Sequence, residues 1–299
     1  MKKGIKAGLI AAAGCIVLGA VLICAGSAAG GKEQLENMDG PVWEIRDGVT
    51  LNMTYEGAEA EKGEAVYEGD FSTEIPVEEA LKNLNLDIGV HSVRIEEHDE
   101  NRILLEGADC KKIQCYVKNG TLYLKDIGKN KTSAESEKRQ ITLTLPEGLE
   151  WEDAELSAGM GSIEMATLKA NEADLEADLG NIFINQLWVS DLEACANMGN
   201  VEVDEFSADT LDISADMGHV EMSGRVEKLV DAEANMGSVV LELEQDKEDF
   251  NYRIISSMGS VKLGEEEYSQ LSDERKEDNG AAREMELDSS MGSIEISFR

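Results

Sequence analysis

Three histidines, His91, His98 and His219, are the side chains in this sequence best suited to acid–base or metal chemistry. His91 and His98 stand seven residues apart, beside Glu96, Glu97 and Asp99, a mixture that could attract a divalent ion. Their spacing argues against it, because zinc draws on Cys and His at short, fixed separations and none occurs here. His219 stands where other copies of the same local motif carry Ser or Asn, which reads as an exposed corner. No G-x-S-x-G elbow, phosphate-binding loop or dinucleotide fingerprint is present. Glycoside hydrolysis needs a carboxylate pair flanking the bond, but with 62 acidic residues a pair carries no information. Polysaccharide lyases need a basic group, and Arg225 and Arg253 fall at different places in the repeat. The sequence therefore reads as no enzyme, with no cofactor and no metal site. A polysaccharide-acting β-helix enzyme is a minor alternative. Of five cysteines, Cys15 and Cys24 lie in an apolar stretch. Cys110, Cys115 and Cys195 read as free thiols, with a Cys110–Cys115 pair as the alternative.

Charge narrows the partners. The chain carries −35 at neutral pH, from 62 acidic and 27 basic residues. The only charges before Lys32 are Lys2, Lys3 and Lys6, so the remainder is more acidic still. Nucleic acid is excluded as a partner, because phosphate recognition needs a basic surface.

A repeat supplies the architecture. Met160-Gly161, Leu179-Gly180, Met198-Gly199, Met217-Gly218 and Met236-Gly237 recur every 19 residues; Met258-Gly259 follows after 22 and Met291-Gly292 after 33. A fixed period near 20 marks a solenoid. Within a unit, Leu192, Ala194, Ala196 and Met198 alternate with Glu193, Cys195 and Asn197, and period two means strand. The expected fold is all-β: a single-stranded parallel β-helix, or β-solenoid, of about 19 residues per turn. Met/Leu, Ala and Val/Ile columns should point inward. Gly161, Gly180, Gly199, Gly218, Gly237, Gly259 and Gly292 are expected as structural corners, by positive φ or by close backbone approach. Stacking would align Glu155, Asp174, Glu193, Asp212 and Asp231 in one acidic stripe, followed in chain order by Arg253 and Glu286. That stripe is the candidate binding surface. In the column before each Met, Asp178, Asn197, Asp216 and Asn235 alternate acid with amide.

The flanks are less regular. LNLDIGVHSVRIE (84–96) looks like a degenerate unit with Ile88-Gly89 in the Met-Gly place. Residues 102–106, 112–117, 121–125 and 141–146 are further strand candidates, and 129–139 reads as a polar loop. The 265–283 stretch reads as a short helix or mobile loop that could cover the last turn. Residues 5–29 are free of charge apart from Lys6, long enough to cross a bilayer, and preceded by lysines that favour a cytoplasmic amino end. The expected layout is a cytoplasmic basic end (1–6), a transmembrane helix or uncleaved signal anchor (7–29), an acidic juxtamembrane stalk or cap (30–74) and a β-solenoid domain (75–299). The carboxyl domain would lie outside a single-pass plasma membrane protein, in a Gram-positive setting. A cleaved signal peptide ending near Ala29 is the rival.

The motifs LNLDIGVHSVRIEE, ITLTLPEGLE and the serial MGSIE, MGNVE and MGHVE units resemble the bacterial putative-adhesin family of β-strand repeats, a domain of unknown function, over roughly 75–299. The resemblance implies an extracytoplasmic β-solenoid and brings no catalytic residues. It suggests a cell-envelope binding or envelope-stress module, whose acidic stripe would take cationic envelope peptides or divalent cations. A structural or adhesive surface spacer is the alternative.

Overall fold

The computed structural model describes residues 42–46, 50–127, 129–131, 139–269 and 273–299. The apolar run 5–29 lies outside the described residues. No helix among them is long and apolar enough to cross a membrane. Contacts divide the chain into Met1–Val42 and Trp43–Arg299, and the second unit is the β-rich body.

The fold is all-β. β1 (Val42–Arg46) and β2 (Thr50–Glu56) form a small sheet with β8 (Lys129–Lys131), which takes the start of the expected 129–139 loop. The other strands form one sheet of 19. Its amino-terminal members are β3 (Tyr67–Ile75), β4 (Asn83–Ile88), β5 (Ser92–His98), β6 (Ile103–Lys118), β7 (Thr121–Asp126) and β9 (Gln140–Pro146). The regular repeats supply β10 (Trp151–Ala158), β11 (Ser162–Ala177), β12 (Asn181–Trp188), β13 (Asp191–Ala196), β14 (Asn200–Ala215), β15 (His219–Ala234) and β16 (Ser238–Leu243). The last set is β17 (Phe250–Ser256), β18 (Ser260–Leu263), β19 (Glu266–Tyr268), β20 (Asp273–Glu277), β21 (Arg283–Ser289) and β22 (Ser293–Phe298).

The 19-residue repeat becomes a 19-residue register. Leu156 lies beside Leu175, Leu175 beside Ala194, and Ile213 beside Ala232, all in parallel pairs. A second parallel ladder pairs Ile163 with Ile182, Ile182 with Val201, and Val201 with Val220. These positions are buried, so each alternating strand lays its apolar side on one continuous core. No single turn could bury that side alone; neighbouring turns do it for each other.

Chain order and stacking order part company at both ends, which corrects the expectation of a purely parallel, sequential helix. At the amino end, Leu84 of β4 pairs with Ala154 on one side and Leu122 of β7 on the other. The 83–98 turn thus lies between 121–146 and 151–165. At the carboxyl end, β15 and β16 pair with β21 and β22, which pair in turn with β17 and β18. The final segment of the chain is therefore intercalated, and 250–263 is the outer turn. Antiparallel strands finish both ends: β6 lies on β7 and β9 with β3 beyond it, while β20 lies on β17 and β19 on β18. An open edge of the stack would leave a row of unpaired N–H and C=O groups; these antiparallel strands pair them. The expected helix or loop at 265–283 accordingly contains β19 and β20, whose strand character comes from the edge they cover.

The corners are set by close approach. None of the seven corner glycines has a positive φ. A Cβ on Gly199 would stand 2.2 Å from the Gly180 carbonyl oxygen and 3.0 Å from that of Ala177. The Asn200 N–H donates to the Gly180 carbonyl at 3.0 Å, so the ladder continues through the bend. The degenerate first unit is offset from its sequence reading. Ser92 pairs with Ser162 and Ile88 with Ala158, which puts Val90-His91, not Ile88-Gly89, at the Met-Gly place. The His91 side chain is accommodated there by Asp126 at the end of β7 and by the Lys111 N–H of β6, which bind its two ring nitrogens.

Candidate binding face

The acidic column is built by register. Outward positions of one ladder pair Glu155 with Asp174, Asp174 with Glu193, Glu193 with Asp212, Asp212 with Asp231, and Asp231 with Glu286. All six reach the surface, with the carboxyls of Asp174 and Asp231 only partly solvated. Intercalation of the final turn puts Glu286 ahead of Arg253, so the carboxylate run is unbroken and one longer than the sequence order suggests. Both ends are closed by hydrogen-bond donors. The Asn85 amide donates to Glu155, and Arg253 lies 3.9 Å from Glu286 and 3.2 Å from Glu274. Among the described residues, Asp174, Glu193, Asp212 and Asp231 make no ion pair.

Like charges side by side on adjacent strands repel, and here that repulsion adds to a larger effect of desolvation. Burial, followed by the charges of Glu193, Glu155 and Asp153, holds the Asp174 carboxyl above its usual range. Asp231 is raised by burial and then by Asp212 and Glu286. Glu176, one column over, is raised by burial and then by Asp178 and Asp174. At the corner the alternation of acid and amide gives relief: Asn197 donates to Asp178 at 2.7 Å and Asn235 to Asp216 at 2.8 Å.

The second ladder does not make such a face. Its outward column contains Glu202 beside Glu221, but Phe183 and Val240 interrupt it on either side. Glu164 is neutralised by Arg94 at 2.9 Å, and Glu295 is paired with Lys262. This column of the second ladder therefore has no unbroken run of carboxylates.

The histidines are accounted for singly. His91 is fully buried. Its Nε2 accepts the Lys111 N–H at 2.9 Å, which leaves the ring proton on Nδ1 to be donated to Asp126 Oδ1 at 2.5 Å. Asp126 Oδ2 accepts the Val90 N–H at 2.6 Å. This closed network locks the first corner. His98, at the far end of β5, accepts the Glu100 N–H through Nδ1 and donates from Nε2 to the Arg102 carbonyl. His219 lies at a corner with Nε2 3.3 Å from Glu221. The three are not brought together, and among the described residues no group of three His, Cys, Asp or Glu converges on a metal position. Cys110, Cys115 and Cys195 are free. Burial pushes the Cys110 thiol up to about 12 and raises Cys115 and Cys195 as well, so none is a poised nucleophile.

Two features escaped the sequence reading. The methionines before the corner glycines, expected in the core, mostly stand at the surface. Met198 is 37% exposed and Met217 54%. Alternation would have placed them inside, but the chain bends at this residue and period two ends there. The second is an open groove of about 570 Å³ lined in part by Asn185, Asp204, Ser223 and Arg299. The Arg299 guanidinium closes on Glu242 and Ser223, each at 2.6 Å. Only the intercalation of β22 puts the last residue there.

The chain is similar to several solved structures. A putative adhesin from Bacteroides fragilis NCTC 9343 is 12% identical, with a TM-score of 0.41, covering 80% of this chain and 99% of that one. A putative adhesin from Parabacteroides distasonis ATCC 8503 is 13% identical with a TM-score of 0.38, over 77% and 97%. A putative lipid binding protein from the same strain is 15% identical with a TM-score of 0.36, over 76% and 96%. No curated protein matches the chain. The model of one family, Toastrack DUF4097, matches residues 81–297. That span runs from the approach to β4 almost to the end of β22 and takes in both intercalated turns, and the protein belongs to the Toastrack DUF4097 family.

Proposed function

We propose that this chain is a non-catalytic, extracytoplasmic β-solenoid module of the cell envelope that gathers cationic ligands on its acidic face. In this reading residues 1–6 are cytoplasmic, 7–29 anchor the chain in the plasma membrane, 30–74 space or cap it, and 75–299 carry the 19-residue turns. The observation that supports it is the unbroken run of six surface carboxylates from Glu155 to Glu286. A stripe of one sign focuses potential and raises the local concentration of counter-ions more than scattered charges do. Neighbouring backbones in the column lie about 4.8 Å apart, close to the ~5–6 Å between side chains three or four apart on one face of a basic helix. Divalent cations would be held diffusely along the same stripe. The second reading, a structural or adhesive spacer, is favoured by the pairing of the end strands of the stack, which needs no ligand.

Titration of the full chain with a lysine-rich peptide separates the two. Glu193→Gln, Asp212→Asn and Asp231→Asn together are compared with Glu248→Gln, Glu265→Gln and Glu267→Gln, which remove the same charge elsewhere. The first set should weaken binding several-fold more than the second. The difference should shrink between 0.01 M and 0.1 M salt, as the Debye length falls from ~30 to ~10 Å. Equal losses would leave only net charge, and the spacer reading would replace the binding one.

A further inference from the structure

Five methionines stand in a row outside the core. In stacking order, Met198, Met217, Met236, Met291 and Met258 are 37%, 54%, 55%, 54% and 67% exposed, and they make up five of the eight large exposed hydrophobic side chains among the described residues. Each backbone N–H donates into the preceding turn, to Asp178, Asn197, Asp216, Asn235 and Ser290 respectively, at 2.7–2.8 Å. The backbone of every methionine is thereby held at the strand repeat of about 4.8 Å. Equivalent positions in equivalent turns send these thioethers out along one edge. An apolar corner by itself could be made with Leu, as Leu179 makes it one turn earlier, yet sulfur recurs at the next five.

Sulfur differs from a hydrocarbon in being a soft, uncharged donor, and thioethers select soft metal ions such as Cu(I). Two sulfurs on opposite sides of one ion are separated by two metal–sulfur bonds, roughly 4.6 Å if each is ~2.3 Å as for zinc. The strand repeat supplies that separation between neighbouring turns. The neighbouring column supplies charge: Asp216 directly precedes Met217 and accepts from Asn235, which precedes Met236, at 2.8 Å. We propose that the methionine row binds soft monovalent metal ions, Cu(I) and its redox-inert analogue Ag(I), each ion held between thioethers of adjacent turns. The site does not depend on the acidic column's binding peptides, because the two lie on different columns and use different donors.

The test is an Ag(I) titration, free of chloride, of the full chain labelled with 13C at the methionine methyls. The methyls of Met198, Met217, Met236, Met258 and Met291 should shift, while those of buried Met165, Met222 and Met285 stay. Changing Met198, Met217 and Met236 to Leu keeps the apolar ridge and should weaken Ag(I) binding by about tenfold or more. A variant with Cys15, Cys24 and Cys195 changed to Ser should keep the row's shifts. The proposal is overturned if the row's methyls do not move, if the Leu variant binds as tightly, or if removing these three thiols abolishes the response. Should the Leu variant fail to fold, the methyl map of the unmodified chain decides alone.

Discussion

At the scale of single residues, the corner glycines and the column carboxylates make opposite demands. Gly199 and Gly292 are both inside the stack, although Gly292 belongs to the last segment of the chain. A Cβ on Gly292 would meet the Gly237 carbonyl at 2.5 Å and that of Ala234 at 3.0 Å. In sequence order Gly292 falls in the last turn and would be the milder site; the intercalation removes that difference. Gly199→Val and Gly292→Val should each cost roughly 2–3 kcal/mol by thermal or denaturant unfolding, the range for a substitution forced against backbone. A small loss at Gly292 alone would put its turn at an end. The carboxylates act through pH. Asp174 and Asp231 are raised in the folded state, so their ionisation costs the fold stability as pH rises from the unfolded value of 3.8 through the raised one. Asp174→Asn and Asp231→Asn should therefore raise the melting temperature at pH 7. The gain should vanish below pH 3.8, where the native carboxyls are protonated anyway. A gain that persists in acid would assign it to packing.

At the scale of elements, alternation and period carried the reading where one side of a strand is buried and the other wet. β10 to β16 are of this kind, and the pairing of Glu155 with Asp174 and onward follows from the repeat alone. The ends were not legible for a physical reason. β19 and β20, EEY and DERKE, have no apolar alternation because they bury little; their partners β17 and β18 make them strands. The offset of two at Val90-His91 was hidden because a buried, hydrogen-bonded histidine takes the place that glycine holds in the later turns. Replacing 266–277 with a short flexible linker should therefore leave the core intact but bare the β17 and β18 edges. Sedimentation should then show concentration-dependent self-association. A variant that stays monomeric at high concentration would mean β19 and β20 do not guard the edge.

At the scale of the whole molecule, the chain does not end where its stack ends. The amino-terminal turn 83–98 and the carboxyl-terminal turn 283–298 are both overlaid by segments that come from nearer the middle of the sequence. The outermost turns are thus held by connections that pass back into the body, and fraying is opposed at both ends. This arrangement also completes the proposed binding face, since Glu286 joins the column beside Asp231 only because the last turn slips in before Arg253. If the proposal holds, position on this face, and not net charge, selects a cation. Residue-by-residue backbone amide shifts of the full chain, titrated with a lysine-rich peptide at low salt, test that selection without any substitution. The largest shifts should run through residues 155, 174, 193, 212 and 231 and pass directly to 286, leaving Glu202 and Glu221 on the other ladder nearly still. Shifts spread evenly over the carboxylates of both ladders, or a track that skips 286, would refute it.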